Sequence, residues 1–202
     1  MKIICIGRNY IDHAKELNNP IPKAPIIFMK PSTALLKDGK PFYHPEFSKN
    51  IHYELEVVLK ISKNGKSISE KFAADYYDEV GLGIDFTARD IQDVCKEKGH
   101  PWEVAKAFDN SAVLGSFVQK NQLNTKEIKF QLIKNGQIAQ DGNTKDLIFS
   151  FEYLISFISQ YFTLQKGDLI YTGTPAGVGK ISTGDHYEGF LEGSKIIDCK
   201  IK

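Results

Sequence analysis

The sequence predicts an α+β protein that is dominated by β-strands and carries its helices outside the sheets. Short segments with the two-residue period of a strand recur along the chain, most clearly at 52–59 and 80–87. Asn135-Gly136 separates two further strand segments and is typical of a tight hairpin turn. The period of an amphipathic helix is confined to three or four segments, one of which covers 151–161. Helices are therefore the minority element.

Composition excludes several classes of protein. The 202 residues, 42% hydrophobic and 25% charged, are enough for one domain with a sizeable core. A net charge of +1 gives no reason to expect a nucleic acid or an anionic membrane as partner. No apolar run reaches the ~20 residues of a membrane span, and the run at the start is too short for a signal peptide. Cys5, Cys95 and Cys199 are odd in number without CxxC spacing, so we expect reduced thiols and a cytoplasmic location.

The N-terminal region predicts two strands separated by a short helix and a loop. Segment 2–6 is an apolar strand that stops at Gly7, and a helical turn begins at Asp12. Three prolines within 18–25 exclude a helix or a central strand, so this stretch is a loop with a restricted backbone. A second strand covers 26–29. We interpret the region at about 10–25 as a lid.

The middle of the chain predicts strands alternating with helices. The strand over 52–61 runs into Asn64-Gly65, which indicates a tight hairpin turn. Ser69 is placed to cap a helix over about 70–78. After the strand at 80–87, a capping-box pattern at Thr87-Ala88-Arg89-Asp90 predicts a helix to about Lys98 that Gly99 ends.

The C-terminal part predicts a hairpin around Asn135-Gly136, a helix after Ser150 and a strand at 169–171 that leads into loop 172–179. This loop is not a phosphate-binding loop, because Thr174 stands where the first glycine should be and Ile181 follows Lys180. Its backbone N–H groups can still hold a small carboxylate. Taken alone, it is more often a surface turn.

Three acidic residues predict a site for a divalent cation. Glu54 and Glu56 are two apart on a strand and point the same way, which by itself also fits a solvent-facing strand. Asp85 lies on the next predicted strand and shares a face with two glycines, which allow a ligand or another backbone to approach. Three carboxylates without a companion cysteine pair favour Mg²⁺ or Mn²⁺ over Zn²⁺.

Other polar residues are open to two interpretations. His13 and Glu16, three apart on a helical turn, fit a base oriented by a carboxylate, or else a surface histidine. Lys106 lies in an apolar stretch that favours partial burial, and Gln92 follows Asp85 closely enough to lie near the cation. The other histidines show no metal-ligand spacing, and we interpret them as structural: His44, His52, His100 and His186.

Taken together, these motifs resemble the fumarylacetoacetate hydrolase family, and most closely its short single-domain branch of the acylpyruvase and oxaloacetate decarboxylase type. The resemblance covers nearly the whole chain, and the motifs follow the order found in the family. They are Gly7-Arg8-Asn9-Tyr10, Asp12-His13, Glu16, Lys30-Pro31-Ser32, 52–56, Asp85, Thr87-Ala88-Arg89-Asp90, Gln92, Trp102, Lys106 and 172–179.

The resemblance implies one catalytic domain over residues 1–202 with the mixed β-roll or sandwich fold of the family, assembled as a homodimer. It implies that Mg²⁺ or Mn²⁺ binds to Glu54, Glu56 and Asp85. The catalytic residues it implies are His13, Glu16 and Lys106, and the substrate-binding residues are Arg8, Lys30, Gln92 and Thr174.

The implied function is cleavage of C–C bonds in small 2-oxo acids, by acylpyruvate hydrolysis, oxaloacetate decarboxylation or both, through a pyruvate enolate stabilised by Mg²⁺. One alternative is an isomerase or hydratase of 2-oxo acids from aromatic catabolism, of the 2-hydroxyhepta-2,4-diene-1,7-dioate isomerase type. A third, from another class, is a non-enzymatic binding module in which the ion is structural.

Overall fold

Fourteen strands in three sheets form the body of the molecule within the residues that the computed structural model describes, which are 1–16, 20–37 and 39–202. The predicted lid at about 10–25 includes residues 17–19, which lie outside the described residues. Five helices are described: α1 (Ile11–Glu16), α2 (Glu70–Ala73), α3 (Arg89–Lys98), α4 (Glu103–Lys106) and α5 (Phe151–Tyr161). None of them is long and apolar enough to cross a membrane.

The largest sheet has seven strands, mostly antiparallel, in the order β2-β1-β11-β5-β6-β8-β3. Its strands are β1 (Ile3–Gly7), β2 (Ile26–Lys30), β3 (Leu35–Leu36), β5 (Leu55–Ile61), β6 (Tyr77–Asp85), β8 (Ala112–Gln119) and β11 (Leu169–Tyr171). A three-stranded sheet, β12-β4-β7, joins β4 (Ile51–Tyr53), β7 (Thr87–Ala88) and β12 (Gly179–Lys180). A four-stranded sheet, β10-β9-β13-β14, joins β9 (Lys129–Lys134), β10 (Gln137–Asn143), β13 (His186–Leu191) and β14 (Ser194–Lys200).

The central strands are buried on both faces, which explains their nearly continuous apolar sequence. Val57, Val58 and Leu59 of β5 are all inaccessible to solvent. α5 packs its Leu154, Ile155 and Ile158 into the same core, and the side chain of Ser150 caps its first turn. The β-dominant α+β class with peripheral helices is confirmed.

Three local predictions about turns and helices were wrong. Asn64-Gly65 is not a hairpin turn; Gly65 bridges to Leu164, and α2 is inserted before β6 returns to pair with β5. The helix after Ser69 ends at Ala73, and a short 3₁₀ turn leads into β6. The capping box before α3 does not form, because no side chain caps that helix and Asp90 accepts instead from Ser48 and the Lys49 N–H.

Candidate active site

Glu54, Glu56 and Asp85 meet where β5 and β6 lie side by side. The strands pair antiparallel with Glu56 opposite Gly83, and the Asp85 N–H donates to the Glu54 carbonyl at 2.8 Å. All three carboxylates are buried, and one oxygen from each lies within 4.8 Å of the others. The sequence predicted one continuous strand here. In the structure it is interrupted at Glu54 and forms two strands, β4 and β5.

The glycines beside Asp85 have a different purpose from the one expected. A Cβ on Gly83 would lie 2.3 Å from the ring of Tyr171, and one on Gly81 would lie 3.0 Å from Phe117. Aromatic side chains of the core, and not a ligand, therefore occupy the space next to these two glycines.

Buried cations surround the carboxylates. Lys106 Nζ donates to Glu54 Oε2 at 2.7 Å, to Asp85 Oδ2 at 2.8 Å and to Thr87 Oγ1 at 2.6 Å. Arg89 contacts the other oxygen of Glu54. Burial raises the pKa of Glu54, but the charges of Lys106 and Arg89 outweigh it and hold that pKa well below its ordinary value. Glu54 is therefore ionised at neutral pH even though it is buried.

Lys30 lies behind Asp85 and does not line the pocket. Its Nζ is 2.7 Å from Asp85 Oδ1 and is hydrogen-bonded to the Ser111 hydroxyl at 2.9 Å and to the Ser111 carbonyl at 3.1 Å. It also contacts the carbonyl of Lys106. This geometry suits a residue that fixes Asp85 and the end of α4, more than one that contacts the substrate.

The carboxylates fit a hard divalent cation. Asp85 Oδ1 is buried, and within the described residues its one partner is the ammonium of Lys30 at 2.7 Å, in a geometry that does not form a hydrogen bond. Burial, with Asp85 and Glu54 as neighbours, raises the pKa of Glu56 well above its ordinary value. A cation would offset the repulsion among the three carboxylates and favour the charged form of Glu56. All the available ligands are oxygens, which suits Mg²⁺ or Mn²⁺.

His13 and Glu16 form a pair on α1. His13 is buried, with Nδ1 3.3 Å from Glu16 Oε2, and Glu16 Oε1 accepts the Gly177 N–H at 3.0 Å. Burial lowers the pKa of His13, and it outweighs the opposite effect of Glu54 and Glu16. His13 is therefore neutral near pH 7 and can accept a proton.

Loop 172–179 binds carboxylates, but they belong to the protein. The Gly173 N–H donates to Glu56 Oε2 at 2.7 Å, and the Gly177 N–H holds Glu16. Gln140 fixes the loop by donating to Thr174 Oγ1 at 2.8 Å and accepts the Leu55 N–H at 2.9 Å. Sequence reasoning missed Gln140, since no motif marks it.

A narrow pocket connects these groups to the surface. Gln92 accepts a hydrogen bond from Arg89 at 2.6 Å, which leaves its amide N–H groups to the pocket. The side chains leave a free volume of about 30 Å³ in this pocket. The lining residues are Ile6, Gly7, Arg8, His13, Phe28, Glu54, Glu56, Asp85, Arg89, Gln92, Lys96, Trp102, Lys106 and Thr174.

A second group of possible metal ligands lies on the hairpin of β13 and β14. His186, Glu188 and Asp198 each place one ligand atom within 4.8 Å of the others. Lys195 already contacts Glu188 at 3.1 Å and Asp198 at 3.0 Å, and His186 is 2.9 Å from Asp198. Lys195 therefore already pairs with both carboxylates of this group, and His186 contacts one of them.

Known proteins resemble this chain over its whole length. The family described as fumarylacetoacetate (FAA) hydrolase, C-terminal, matches residues 2–202. Oxaloacetate tautomerase FAHD1, mitochondrial, of Mus musculus is 41% identical over 201 residues, 99% of this chain and 91% of that protein. Oxaloacetate decarboxylase, mitochondrial, of Dictyostelium discoideum is 42% identical over 185 residues, 91% of this chain and 85% of that protein. Fumarylpyruvate hydrolase from Pseudomonas aeruginosa, crystallised with Mn²⁺ and pyruvate, superposes with a TM-score of 0.94 at 33% identity, covering 100% of this chain and 89% of that one.

Proposed function

The chain belongs to the fumarylacetoacetate hydrolase family, and we propose that it is an enzyme that acts on small 2-oxo acids with Mg²⁺ or Mn²⁺. The reactions we assign are acylpyruvate hydrolysis and oxaloacetate decarboxylation, which share an enolate of pyruvate. One observation carries the proposal: three buried carboxylates, a buried ammonium and the imidazole of His13, which is paired with Glu16, line the same pocket. Relatives named oxaloacetate decarboxylase and fumarylpyruvate hydrolase support this class of substrate.

Lys106 and its neighbours are suited to stabilising negative charge. Glu54, Glu56 and Asp85 would hold the cation, which when bound supplies a Lewis acid for the 2-oxo group. Burial would lower the pKa of Lys106, but Asp85 and Glu54 raise it, so the ammonium stays charged. It places a positive charge close to the oxygen on which negative charge develops.

His13 and Glu16 are suited to moving a proton. When Nδ1–H is donated to Glu16, the other ring nitrogen, Nε2, keeps its lone pair for a proton. In acylpyruvate hydrolysis, Nε2 would take the proton of a water that attacks the distal carbonyl. Decarboxylation needs no such base, because CO₂ leaves directly and the enolate is then protonated.

The test is a substrate panel of oxaloacetate, acetylpyruvate and fumarylpyruvate, with Mg²⁺ or Mn²⁺ and with EDTA as the control. We expect cation-dependent release of pyruvate. Absence of turnover on all three substrates with either cation would contradict the proposal.

Tautomerisation of oxaloacetate is a second candidate, since it needs only a base that moves a proton between carbon and oxygen. His13 provides such a base, and the Mus musculus relative is named oxaloacetate tautomerase. The loss of enol absorbance without release of pyruvate would identify this activity. Tautomerisation is itself an isomerisation of a 2-oxo acid, so this result would also support the isomerase alternative.

A structural cation in a non-enzymatic binding module makes a different prediction. Its coordination shell would be closed, whereas the enzyme needs positions open to substrate. Oxalate, which mimics the enolate of pyruvate, should bind to the enzyme only when Mg²⁺ or Mn²⁺ is present. Absence of oxalate binding under both conditions would favour the module.

The proposal includes four further points. Residues 1–202 form one catalytic domain, and the region at about 10–25 acts as a lid over the pocket. The protein is a homodimer. Its free cysteines favour the cytoplasm, whereas the two oxaloacetate enzymes that it resembles are named mitochondrial. Fractionation of the source cells would distinguish the two compartments.

A further inference from the structure

A groove of mainly apolar side chains lies beside the pocket of the carboxylate cluster. It follows β2, the end strand of the seven-stranded sheet, and has a free volume of about 440 Å³. Its lining consists of residues 26–29 of β2, residues 99–103 up to the start of α4, and Lys106. Pockets that hold small molecules have volumes of roughly 300–1,000 Å³, so the groove is large enough for part of a ligand.

The groove and the pocket of the carboxylate cluster share a wall. Phe28 and Trp102, whose ring centroids are 6.0 Å apart, line both spaces, and so does Lys106. Gly7 lines only the pocket and Ile26 only the groove, yet a Cβ on Gly7 would lie 3.8 Å from Ile26 and from the ring of Trp102. A carbon chain that leaves the carboxylate cluster past these two rings therefore enters the groove.

The charges around the groove do not suit an anionic ligand. The ammonium of Lys106 is directed to Glu54 at 2.7 Å and to Asp85 at 2.8 Å, so its charge is already matched at the carboxylate cluster. The acidic residue of the lining is Glu103, which is exposed. A carboxylate at the far end of a ligand would be repelled by Glu103, whereas an uncharged apolar end would contact the side chains of Ile26 and Phe28.

We propose that this groove binds the apolar acyl end of an acylpyruvate, and that the enzyme prefers long apolar acyl groups to acetyl. The inference rests on the proposed function, because it takes the 2-oxo acid end of the substrate to lie at the carboxylate cluster. Trp102 connects the two ends. Its carbonyl accepts the N–H groups of Ala105 and Lys106, both at 2.9 Å, so an acyl chain against its ring contacts the turn that carries Lys106.

Kinetics on two acylpyruvates test the preference. Hexanoylpyruvate and acetylpyruvate differ by four methylenes, and full burial of one methylene is worth about fourfold. With the chain partly buried, kcat/KM for hexanoylpyruvate should exceed that for acetylpyruvate by about 10- to 100-fold. Ile26→Asp places a charge in the groove and should bring this ratio close to one. Ile138→Asp, at an exposed position of β10 that lines neither space, should leave the ratio unchanged.

Glu103→Lys tests the groove at an exposed position where a substitution should not disturb folding. It replaces the charge that repels an anionic end by one that attracts it. The ratio of kcat/KM for fumarylpyruvate to kcat/KM for hexanoylpyruvate should rise about two- to fivefold, the usual worth of an exposed charge pair. Equal kcat/KM for hexanoylpyruvate and acetylpyruvate in the wild type, or a preference that both Ile26→Asp and Glu103→Lys leave unchanged, would overturn the inference.

Equilibrium binding decides the inference even if no acylpyruvate is turned over. 2-Oxooctanoate and 2-oxobutanoate share the 2-oxo acid end and differ by four methylenes, so calorimetry with Mn²⁺ measures what the chain contributes. The wild type should bind 2-oxooctanoate at least about tenfold more tightly, and Ile26→Asp should reduce the difference. Equal affinities, or a difference that persists with EDTA in place of Mn²⁺, would overturn the inference, since the chain would then not extend from the carboxylate cluster. The expected binding without turnover would instead contradict only the proposed function.

Discussion

At the scale of single residues, Lys106 is the side chain that most directly competes with a cation. Its ammonium is within 2.8 Å of an oxygen on both Glu54 and Asp85, two of the three ligands that we assign to the metal. A buried lysine in this position neutralises the carboxylates but also repels a divalent cation. It therefore has opposite effects on metal affinity and on stabilisation of the substrate.

Lys106→Met should separate these two effects. Loss of the positive charge should tighten Mn²⁺ binding by about tenfold, equivalent to ~1.4 kcal/mol. It should also lower kcat on oxaloacetate by roughly 10²–10³-fold, as removal of one electrostatic donor does elsewhere. Mn²⁺ titration followed by electron paramagnetic resonance, with Lys98→Met as the matched control, measures the first effect. Weaker Mn²⁺ binding in Lys106→Met would show that the ammonium organises the ligands and does not compete with the ion.

His13→Ala and Glu16→Ala should distinguish hydrolysis from decarboxylation. Without the base, hydrolysis of acetylpyruvate should fall roughly 10²–10⁴-fold, and decarboxylation of oxaloacetate should fall much less. Steady-state kinetics at saturating Mg²⁺ measure both. Equal losses on the two substrates would mean that the pair serves binding or closure, and no loss on either would make His13 a structural residue.

The pH profile provides a separate test of His13. Because burial lowers its pKa, the neutral base persists below the ordinary value of about 6.5 and is lost as the pH falls through the lowered pKa. Hydrolysis should therefore have an acid limb below pH ~6.5. Glu16→Gln removes a group that raises this pKa, so the limb should move to lower pH while the rate decreases. A limb that moves upward would contradict the assignment.

At the scale of the structural elements, the sequence predicted a helix correctly where the contacts that fix its ends lie within the helix itself. The helix over 151–161 was predicted correctly because both of its signals are local: Ser150 caps it, and its apolar residues recur with the period of a helix. The helix after Ser69 ended early because Tyr77 joins β6, where its ring packs on Phe151 and its hydroxyl reaches Glu152 at 3.3 Å. Those contacts are distant in sequence, so no local pattern could reveal them.

Loop 172–179 connects the metal site to α1, and Gly177 is its critical position. Its φ is +97°, and a Cβ there would lie 2.4 Å from the carbonyl oxygen of Ala139. Gly177→Ala should therefore displace the N–H that holds Glu16 and lower the free energy of unfolding by about 2–4 kcal/mol, from strain and overpacking together.

Gly184→Ala is the matched control for that substitution. Gly184 has nearly the same φ, +96°, but a Cβ there meets nothing within 4 Å. It should cost only the backbone strain, about 1 kcal/mol, without loss of activity. Urea denaturation and acetylpyruvate hydrolysis compare the two variants. Similar stability and activity in both would mean that the contact between Glu16 and Gly177 contributes little.

At the scale of the whole molecule, the site was more predictable than the connections that hold it. The meeting of the three acids could be predicted because Glu56 and Asp85 lie on strands whose period is clear in the sequence, and Glu54 directly precedes β5. The roles of His13 and Lys106 come from the resemblance and stay predictions. Gln140 and Ser111 could not be found, because each acts across a long separation: Gln140 bonds Leu55, and Ser111 bonds Lys30. A buried side chain that bonds distant backbone leaves no periodic signal in the sequence.

Assembly is a prediction at this scale. A twofold dimer is the commonest arrangement of soluble oligomers, and the resemblance implies one. Sedimentation equilibrium should give about 45 kDa, twice the 22.7 kDa of the chain. A single species at the mass of one chain, at micromolar protein, would contradict this expectation.

Cation binding should also stabilise the whole fold. The ligands come from β5, from β6 and from the break before β5, so an unfolded chain cannot present them together. A cation that binds only the folded state adds about 2.7 kcal/mol at a concentration 100 times its Kd, which for a chain of this length raises Tm by roughly 5–10 °C. Differential scanning calorimetry with and without Mn²⁺ measures the shift. Glu56→Gln should abolish it, whereas Glu188→Gln, in the exposed cluster with His186 and Asp198, should retain it. The reverse pattern would place the ion on the hairpin of β13 and β14 and would contradict the metal site proposed for Glu54, Glu56 and Asp85.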